Sequence, residues 1–392
     1  MKSDFNLNES IITVILFWCS LVVVSSLYLT IPLVPVISRT YEVTLSQAAW
    51  TSSAFSLSFA IGGLIFGILS DRYGRKHLMI TGLILLIVVT PLIGSASSFS
   101  SFVILQAVEG LAASMFPPSV LALGMEIFPS NKRGTIIGFI STAFLMAAIV
   151  GQLFSSFVIL KLDWSYTYYI LFVIYLISAI LIAYFIPRDG NQKPEGTLFS
   201  TFFKVGAILK QNSLPICYIV SSVIFISLVG YYTTLESYLR GPDFGLNHWE
   251  ILLIRAVGII GMFISPFAGR LVAKFGFKNI LWTGLTLSGI GLGIQGFTSD
   301  LYLLLIMSVL FVTGISLTLP TIISLIGQLA GHSRGTAVSF HMFMAFTGAS
   351  IGPIVSIELV KIGGHLITFA SLAGILFLSL IIPFFIRIEK EN

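Results

Sequence analysis

Charge is what this chain has least of. Only 9% of its 392 residues are Asp, Glu, Lys or Arg, where a soluble domain carries roughly 25%. With 56% hydrophobic residues and a mean hydropathy of +1.00, there is too little polar surface to face water. A water-soluble globular fold is thereby excluded, and lipid must solvate most of the exterior. Cysteine is nearly absent. Cys19 and Cys217 each fall within an apolar run, which argues against a disulfide framework and reads as two small buried hydrophobes. No His, Cys or carboxylate cluster has metal-ligand spacing. There is no nucleotide-binding glycine loop and no nucleophile triad in a supporting context. No metal, no cofactor and no enzymatic activity is expected. Without an ATP site, any work is driven by a gradient.

What the chain has in quantity is long apolar runs. A bilayer core of roughly 30 Å needs about 20 apolar residues in helix. Twelve runs meet that requirement: 11–37, 48–70, 78–97, 101–127, 135–160, 166–187, 214–238, 249–272, 279–298, 301–329, 335–360 and 366–386. Most connections are too short for a soluble domain. The exception runs from Arg188 to Asn212, is polar and contains Gly190, Pro194 and Gly196, and reads as a linker. The expected architecture is an all-α membrane protein with twelve transmembrane helices in two pseudo-symmetric six-helix bundles. The bundles occupy residues 1–187 and 214–392, joined by a linker over 188–213. The opening MKSDFNLNES is not strongly basic, and the apolar run after it is too long for a signal peptide. It is expected to be the retained first helix.

The placement of basic residues orients the spans. With both termini on one side, 16 of the 21 Lys and Arg residues share that side, leaving Arg39, Lys161, Arg240, Arg255 and Lys361. Such a bias follows the positive-inside rule and puts both termini in the cytoplasm. The net charge of +5 is then a topology signal, and no nucleic-acid partner is expected.

The sequence also repeats itself. Gly67, Leu69, Arg72, Tyr73, Gly74 and Lys76 recur as Gly269, Leu271, Lys274, Phe275, Gly276 and Lys278, an offset of 202 residues. Arg133-Gly134-Thr135 recurs as Arg334-Gly335-Thr336, and Gly151 as Gly352, an offset of 201. Each match falls at the same place in its half, after the second span and at the start of the fifth. Parallel repeats of this kind are related by an axis along the membrane normal.

These residues carry a family resemblance. The stretch Gly67, Asp71, Arg72, Gly74, Arg75 and Lys76 is similar to the signature loop of the major facilitator superfamily. The likeness extends over essentially the whole chain, and Ala273 replaces the acidic residue in the second copy. Trp164-Ser165-Tyr166 resembles the family's aromatic entry to its sixth helix, with Ser165 in place of a common Arg. Within the family the chain resembles the drug:proton antiporters, with departures. Their glycine-rich fifth-helix motif here reads Gly138, Ala147, Gly151, Gln152. An intact Gly348-x-x-x-Gly352-Pro353 stands in the eleventh helix instead. Their fourth-helix arginine is absent, and the chain there reads Gln106-Ala-Val-Glu109-Gly110. The resemblance implies a secondary transporter working by alternating access, with a small-molecule substrate and protons as coupling ion. It also implies a monomer, and the short loops and lack of processing signals point to the bacterial cytoplasmic membrane. Proton-coupled export of drug-like or amphipathic molecules is the leading expectation. Transport of a polar metabolite, such as a sugar or amino-acid derivative, is the alternative, and a non-transporting membrane sensor is a third.

Charges inside spans cost about 2.5 kcal/mol or more at a helix centre, so the few present are informative. Glu109 is the best candidate for a titrating carboxyl, with Gln106 on the same helical face. The competing reading is a neutral Glu hydrogen-bonded to a neighbouring helix. Glu236 is either functional or a pair for Arg240. Arg255 either binds an anionic group or pairs with Glu236 or Glu109 as an outer gate. His341 is either a proton group or a satisfied interior histidine. By the resemblance, Asp71 gates the cytoplasmic side near the helix that begins at Gly335. Otherwise Arg72, Arg75 and Lys76 only follow the charge rule. Pro32, Pro35, Pro117 and Pro118 either kink cavity-lining helices or are ordinary span prolines. Gly348 and Gly352 permit close helix packing.

Overall fold

The computed structural model describes residues 3–187, 213–331 and 334–385. Among these residues all regular structure is helical. In lipid a helix satisfies its own backbone groups without water, so long apolar runs have no other open form available. Helices α1 (Ser3–Thr40), α2 (Leu45–Ala48), α3 (Trp50–Tyr73), α4 (Arg75–Gly94), α5 (Phe99–Ala113), α6 (Phe116–Ile127), α7 (Ser130–Lys161) and α8 (Ser165–Phe185) come first. They are followed by α9 (Leu214–Arg240), α10 (His248–Val257), α11 (Ile259–Met262), α12 (Ala268–Phe275), α13 (Phe277–Gln295), α14 (Leu301–Leu329), α15 (Arg334–Leu378) and α16 (Ile382–Phe385). Polar residues at the connections set several of the starts. The Thr44 hydroxyl accepts from the Gln47 amide, Ser98 caps α5, and Asn247 caps α10 through the amides of Trp249 and Glu250.

Two of the expected spans are broken. The run 101–127 is α5 followed by α6, because Pro117 and Pro118 lack the amides that would bond the carbonyls of residues 113 and 114. The run 249–272 is α10, α11, a short 3-10 turn Ser265–Phe267 and α12. Pro266 cannot donate to the Met262 carbonyl, and the Thr142 hydroxyl of α7 lies 3.4 Å from that oxygen. The last two expected spans comprise α15, interrupted by non-helical backbone at Gly363 and Gly364, a 3-10 turn Ser379–Ile381 and α16. Ten helical stretches among the described residues are long and apolar enough to cross a membrane. The shorter, less apolar α13 is not one of them, and the Arg334–Phe385 stretch counts once.

The chain divides into two compact units. One comprises residues 1–129 and 143–197, the other 130–142 and 198–392. The first part of α7 therefore groups with the second unit. There, the backbones of α7 and α12 meet at Gly134 and Gly269, where a methyl on either would overlap the other chain. The expected linker 188–213 lies outside the described residues apart from Ser213.

Candidate functional site

Within the first unit the polar interior centres on α5. Ser98 starts this helix, and Gln106 and Glu109 then fall one turn apart on the same face. Gly110 beside them lets α5 lie against the Phe55 backbone of α3, where a methyl would clash with the Phe55 carbonyl. The close crossing seals both polar side chains inside: Gln106 is 0% and Glu109 1% exposed. Gln106 Nε2 donates to Glu109 Oε2 at 3.1 Å and to the Tyr168 hydroxyl at 3.1 Å. Tyr168 and Tyr175 lie two turns apart on α8, and both are within electrostatic range of the Glu109 carboxyl. None of the ion pairs among the described residues includes Glu109.

An aromatic cluster continues from this polar group. Phe102 meets Tyr168 edge-on at 5.9 Å and Trp164 at 5.5 Å between ring centroids. Tyr41 packs on Phe102 and Trp164 at 5.8 and 6.1 Å. Its hydroxyl donates to the Ala96 carbonyl at 2.8 Å, and partial burial raises its pKa above the usual phenol value. The sequence reading did not single out Tyr41, Tyr168 or Tyr175. The spacing of Trp164, Tyr168 and Tyr175, which puts three aromatics on one helical face, is the signal that could have found them.

The repeat-related positions of the second unit differ. At the 202-residue offset, Gln106 becomes Ser308 and Glu109 becomes Phe311. Ser308 accepts from the Tyr231 hydroxyl at 2.7 Å, and Phe311 packs 4.5 Å from the Tyr231 ring. The acid is thus present in one half and replaced by an aromatic in the other.

Among the in-span charges of the second unit, Glu236, Arg240 and Arg255 form one paired group. Glu236 Oε2 takes a hydrogen bond from Arg255 at 2.8 Å, and Oε1 takes one from Arg240 at 2.9 Å. His248 Nδ1 lies 3.8 Å from the same carboxylate. Arg255 also donates to the Tyr232 carbonyl at 2.7 Å and lies over the Tyr232 ring at 5.4 Å. Of the alternatives for Arg255, the structure realises the pair with Glu236. His341 of α15 is buried, with Nδ1 2.7 Å from the Ser221 hydroxyl of α9.

At the α3–α4 turn, Arg75 is buried and ion-paired to Asp71 one turn earlier. It also donates to Glu126 at the end of α6, from Nη2 at 3.0 Å and Nε at 3.3 Å, and to the Ser70 hydroxyl at 2.6 Å. Lys76 donates to the Ala183 and Ile186 carbonyls at the end of α8, at 2.8 and 2.5 Å, where a cation suits the helix C-terminus. Gly67 is buried, with its carbonyl bonded by Ser70, and Arg72 lies in the last turn of α3. Gly74 breaks the helix with φ 93.

The expected packing residues lie at helix crossings within each unit. Gly138 abuts the Ser265 carbonyl, Gly151 that of Ser25, Gly348 that of Ser222 and Gly352 that of Ile226. Gln152 bonds the Ala148 carbonyl of its own helix at 2.7 Å, and Pro353 lies within α15. Among the described residues no group of three His, Cys, Asp or Glu side chains is placed to hold a metal ion.

The chain matches the family model of the Major Facilitator Superfamily over residues 16–274 and 252–392. It is 25% identical over 328 residues to an uncharacterized transporter of Buchnera aphidicola subsp. Schizaphis graminum (strain Sg), covering 83% of this chain and 79% of that one. It is 24% identical over 259 residues to the multidrug transporter protein MdtP of Bacillus subtilis (strain 168), covering 64% and 44%. The fold is similar to the crystal structure of the human organic anion transporter MFSD10 (TETRAN). The TM-score is 0.80 at 15% identity, covering 96% of this chain and 99% of that one. With both repeats inside the matched family regions, an all-helical fold and helices fit to cross a membrane, the chain is a membrane transporter that belongs to the Major Facilitator Superfamily.

Proposed function

We propose that this chain is a proton-coupled exporter of small drug-like or amphipathic molecules, with Glu109 as its protonation site. The observation that carries the reading is the Glu109 carboxyl: buried, hydrogen-bonded to Gln106, and outside every ion pair described. Asp71, Glu126 and Glu236 each sit against an arginine. A buried carboxyl with no cation beside it can gain and lose a proton without breaking an ion pair, the property a coupling site needs. Ten helical stretches, α13 and the break at Gly363–Gly364 together support twelve crossings, with both termini in the cytoplasm. Transport proceeds by alternating access of two six-helix bundles, 1–187 and 214–392, in a single chain in the bacterial cytoplasmic membrane. The Asp71–Arg75–Glu126 cluster serves the cytoplasmic gate, and the Glu236–Arg255 pair an outer one. The partial similarity to a multidrug transporter supports the substrate class.

Transport of a specific polar metabolite is the second reading, favoured by the buried guanidinium of Arg255, a group suited to a carboxylate or phosphate. Purified protein in liposomes under an imposed pH gradient separates the two. A lipophilic fluorescent dye accumulating in step with the gradient supports the first. Dyes left unmoved while a labelled sugar or amino-acid derivative accumulates would replace it with the second.

A further inference from the structure

We infer that Gln106 is a positioning residue for the Glu109 proton, its amide turning over between the ionised and the protonated carboxyl. The inference rests on the protonation role proposed for Glu109. One nitrogen of Gln106 donates both to Glu109 Oε2 and to the Tyr168 hydroxyl, at 3.1 Å each. The other end of the amide, Oε1, and the second carboxyl oxygen, Glu109 Oε1, have no hydrogen-bond partner among the described residues. All three side chains are sealed from solvent.

This arrangement suits a carboxylate. A proton on Oε2 would collide with the Gln106 N–H, and one on Oε1 would find no acceptor. The two ends of an amide have nearly the same shape. A half-turn about Cγ–Cδ puts the carbonyl oxygen where the nitrogen stands. That oxygen then accepts from the Glu109 Oε2–H and from the Tyr168 O–H. Both protonation states are hydrogen-bonded in one packing, and the Tyr168 hydroxyl changes from acceptor to donor. The proton comes from water and returns to water, with no other bond made or broken. Protonation on α5 is therefore registered on α8.

Among the described residues, no carboxylate, histidine, lysine or arginine interacts with Glu109. Tyr168 and Tyr175 of α8 face the carboxyl. On α3 and α4, which pack against α5, the titratable groups are Asp71, Arg72, Tyr73, Arg75, Lys76 and His77, gathered at their shared turn. Phe55 is level with Gly110, so Asp71 stands about 24 Å further along α3 at 1.5 Å per residue. Glu126 lies at the far end of α6, paired to Arg75. Cys19 and Tyr28 are the titratable side chains in the middle of α1.

Infrared difference spectroscopy of the full chain in lipid nanodiscs, between alkaline and acid buffer, tests this. The wild-type protein should show a protonated-carboxyl band that Glu109→Gln lacks. A side-chain amide change should follow the same pH range and be lost in both Glu109→Gln and Gln106→Leu. In Gln106→Leu the carboxyl band should appear at a pH up to about one unit higher, because the lost hydrogen bond is stronger to the ionised carboxyl than to the protonated one. Gln106→Met repeats the measurement if the leucine chain does not insert. An unchanged midpoint in these variants, or a carboxyl band with no accompanying amide change, overturns the role of Gln106 alone. A wild-type spectrum with no band assignable to Glu109 overturns it together with the reading of Glu109.

Discussion

Gly74 and Gly276, 202 residues apart, hold the same backbone conformation: φ 93 and ψ 141 at the first, φ 83 and ψ 156 at the second. Each ends one helix and starts the next, at the position where the sequence repeats itself. A methyl at Gly276 would meet nothing within 4 Å, so the requirement there is the backbone angle alone. Gly74→Ala and Gly276→Ala should each destabilise the protein by about 1–2 kcal/mol. Cys19 and Cys217 are fully buried, so the reaction of a maleimide dye with them on heating reports unfolding. Both variants should react at a lower temperature than wild type; unchanged curves would show that the turn does not need glycine.

The Arg75 guanidinium serves Asp71, Glu126 and Ser70 at once, which needs its planar fork. A lysine carries the charge but cannot reach three acceptors from those directions. Arg75→Lys and Asp71→Asn should lower transport at least tenfold while leaving membrane insertion intact, measured as dye flux per inserted protein. Glu126→Gln, at an exposed end of the cluster, should cost less. Full flux in Arg75→Lys would reduce the cluster to charge placement.

The Glu236 carboxylate offers an internal control on ion-pair energetics. Its partner Arg255 is 6% exposed, whereas the Arg240 side chain is 51% exposed. Removing the carboxylate strands a buried guanidinium, and Glu236→Gln should cost about 2–3 kcal/mol, less than a fully buried pair because Glu236 is part-exposed. Arg240→Gln should cost under about 1 kcal/mol. The same dye assay ranks them, and equal losses would contradict the assignment of Arg255 as the buried partner.

Helix α13 has 19 residues and the glycine-rich composition of a weak span. If it crosses the bilayer, labels placed at Gly276 and Ser299 report from opposite sides of the membrane, and labels at Arg334 and Gly363 do so as well. Labelling of cysteine substitutions with a membrane-impermeant maleimide in intact cells and in lysed cells reads this directly. Same-side labelling of the first pair would reduce the number of crossings.

Much of this molecule could be read from composition and periodicity. Apolar runs locate the helices because lipid leaves few alternatives, and the glycine-marked repeat locates the turn at Gly74. Glu109 stood out because charges in spans are rare, and its bond to Gln106 follows from helical spacing. The Tyr168 contact was not legible, since one tyrosine among 13 gives no sign of which helix it meets. The break of the eighth span at Gly258 and Pro266 was missed for a related reason. Hydropathy is blind to a lost amide, and the Thr142 hydroxyl near the freed carbonyl comes from a distant part of the chain. Pairing of Arg255 was left open because sequence separation cannot choose between two carboxyls.

Proton flux is the measurement closest to the central claim. In lightly buffered proteoliposomes loaded with a pH-sensitive dye, adding a transported lipophilic substrate to wild-type protein should change the internal pH as the substrate accumulates. Glu109→Gln should still exchange labelled for unlabelled substrate, with no accompanying pH change and no accumulation against a gradient. A Glu109→Gln protein that moves protons and accumulates substrate as wild type does would contradict the account.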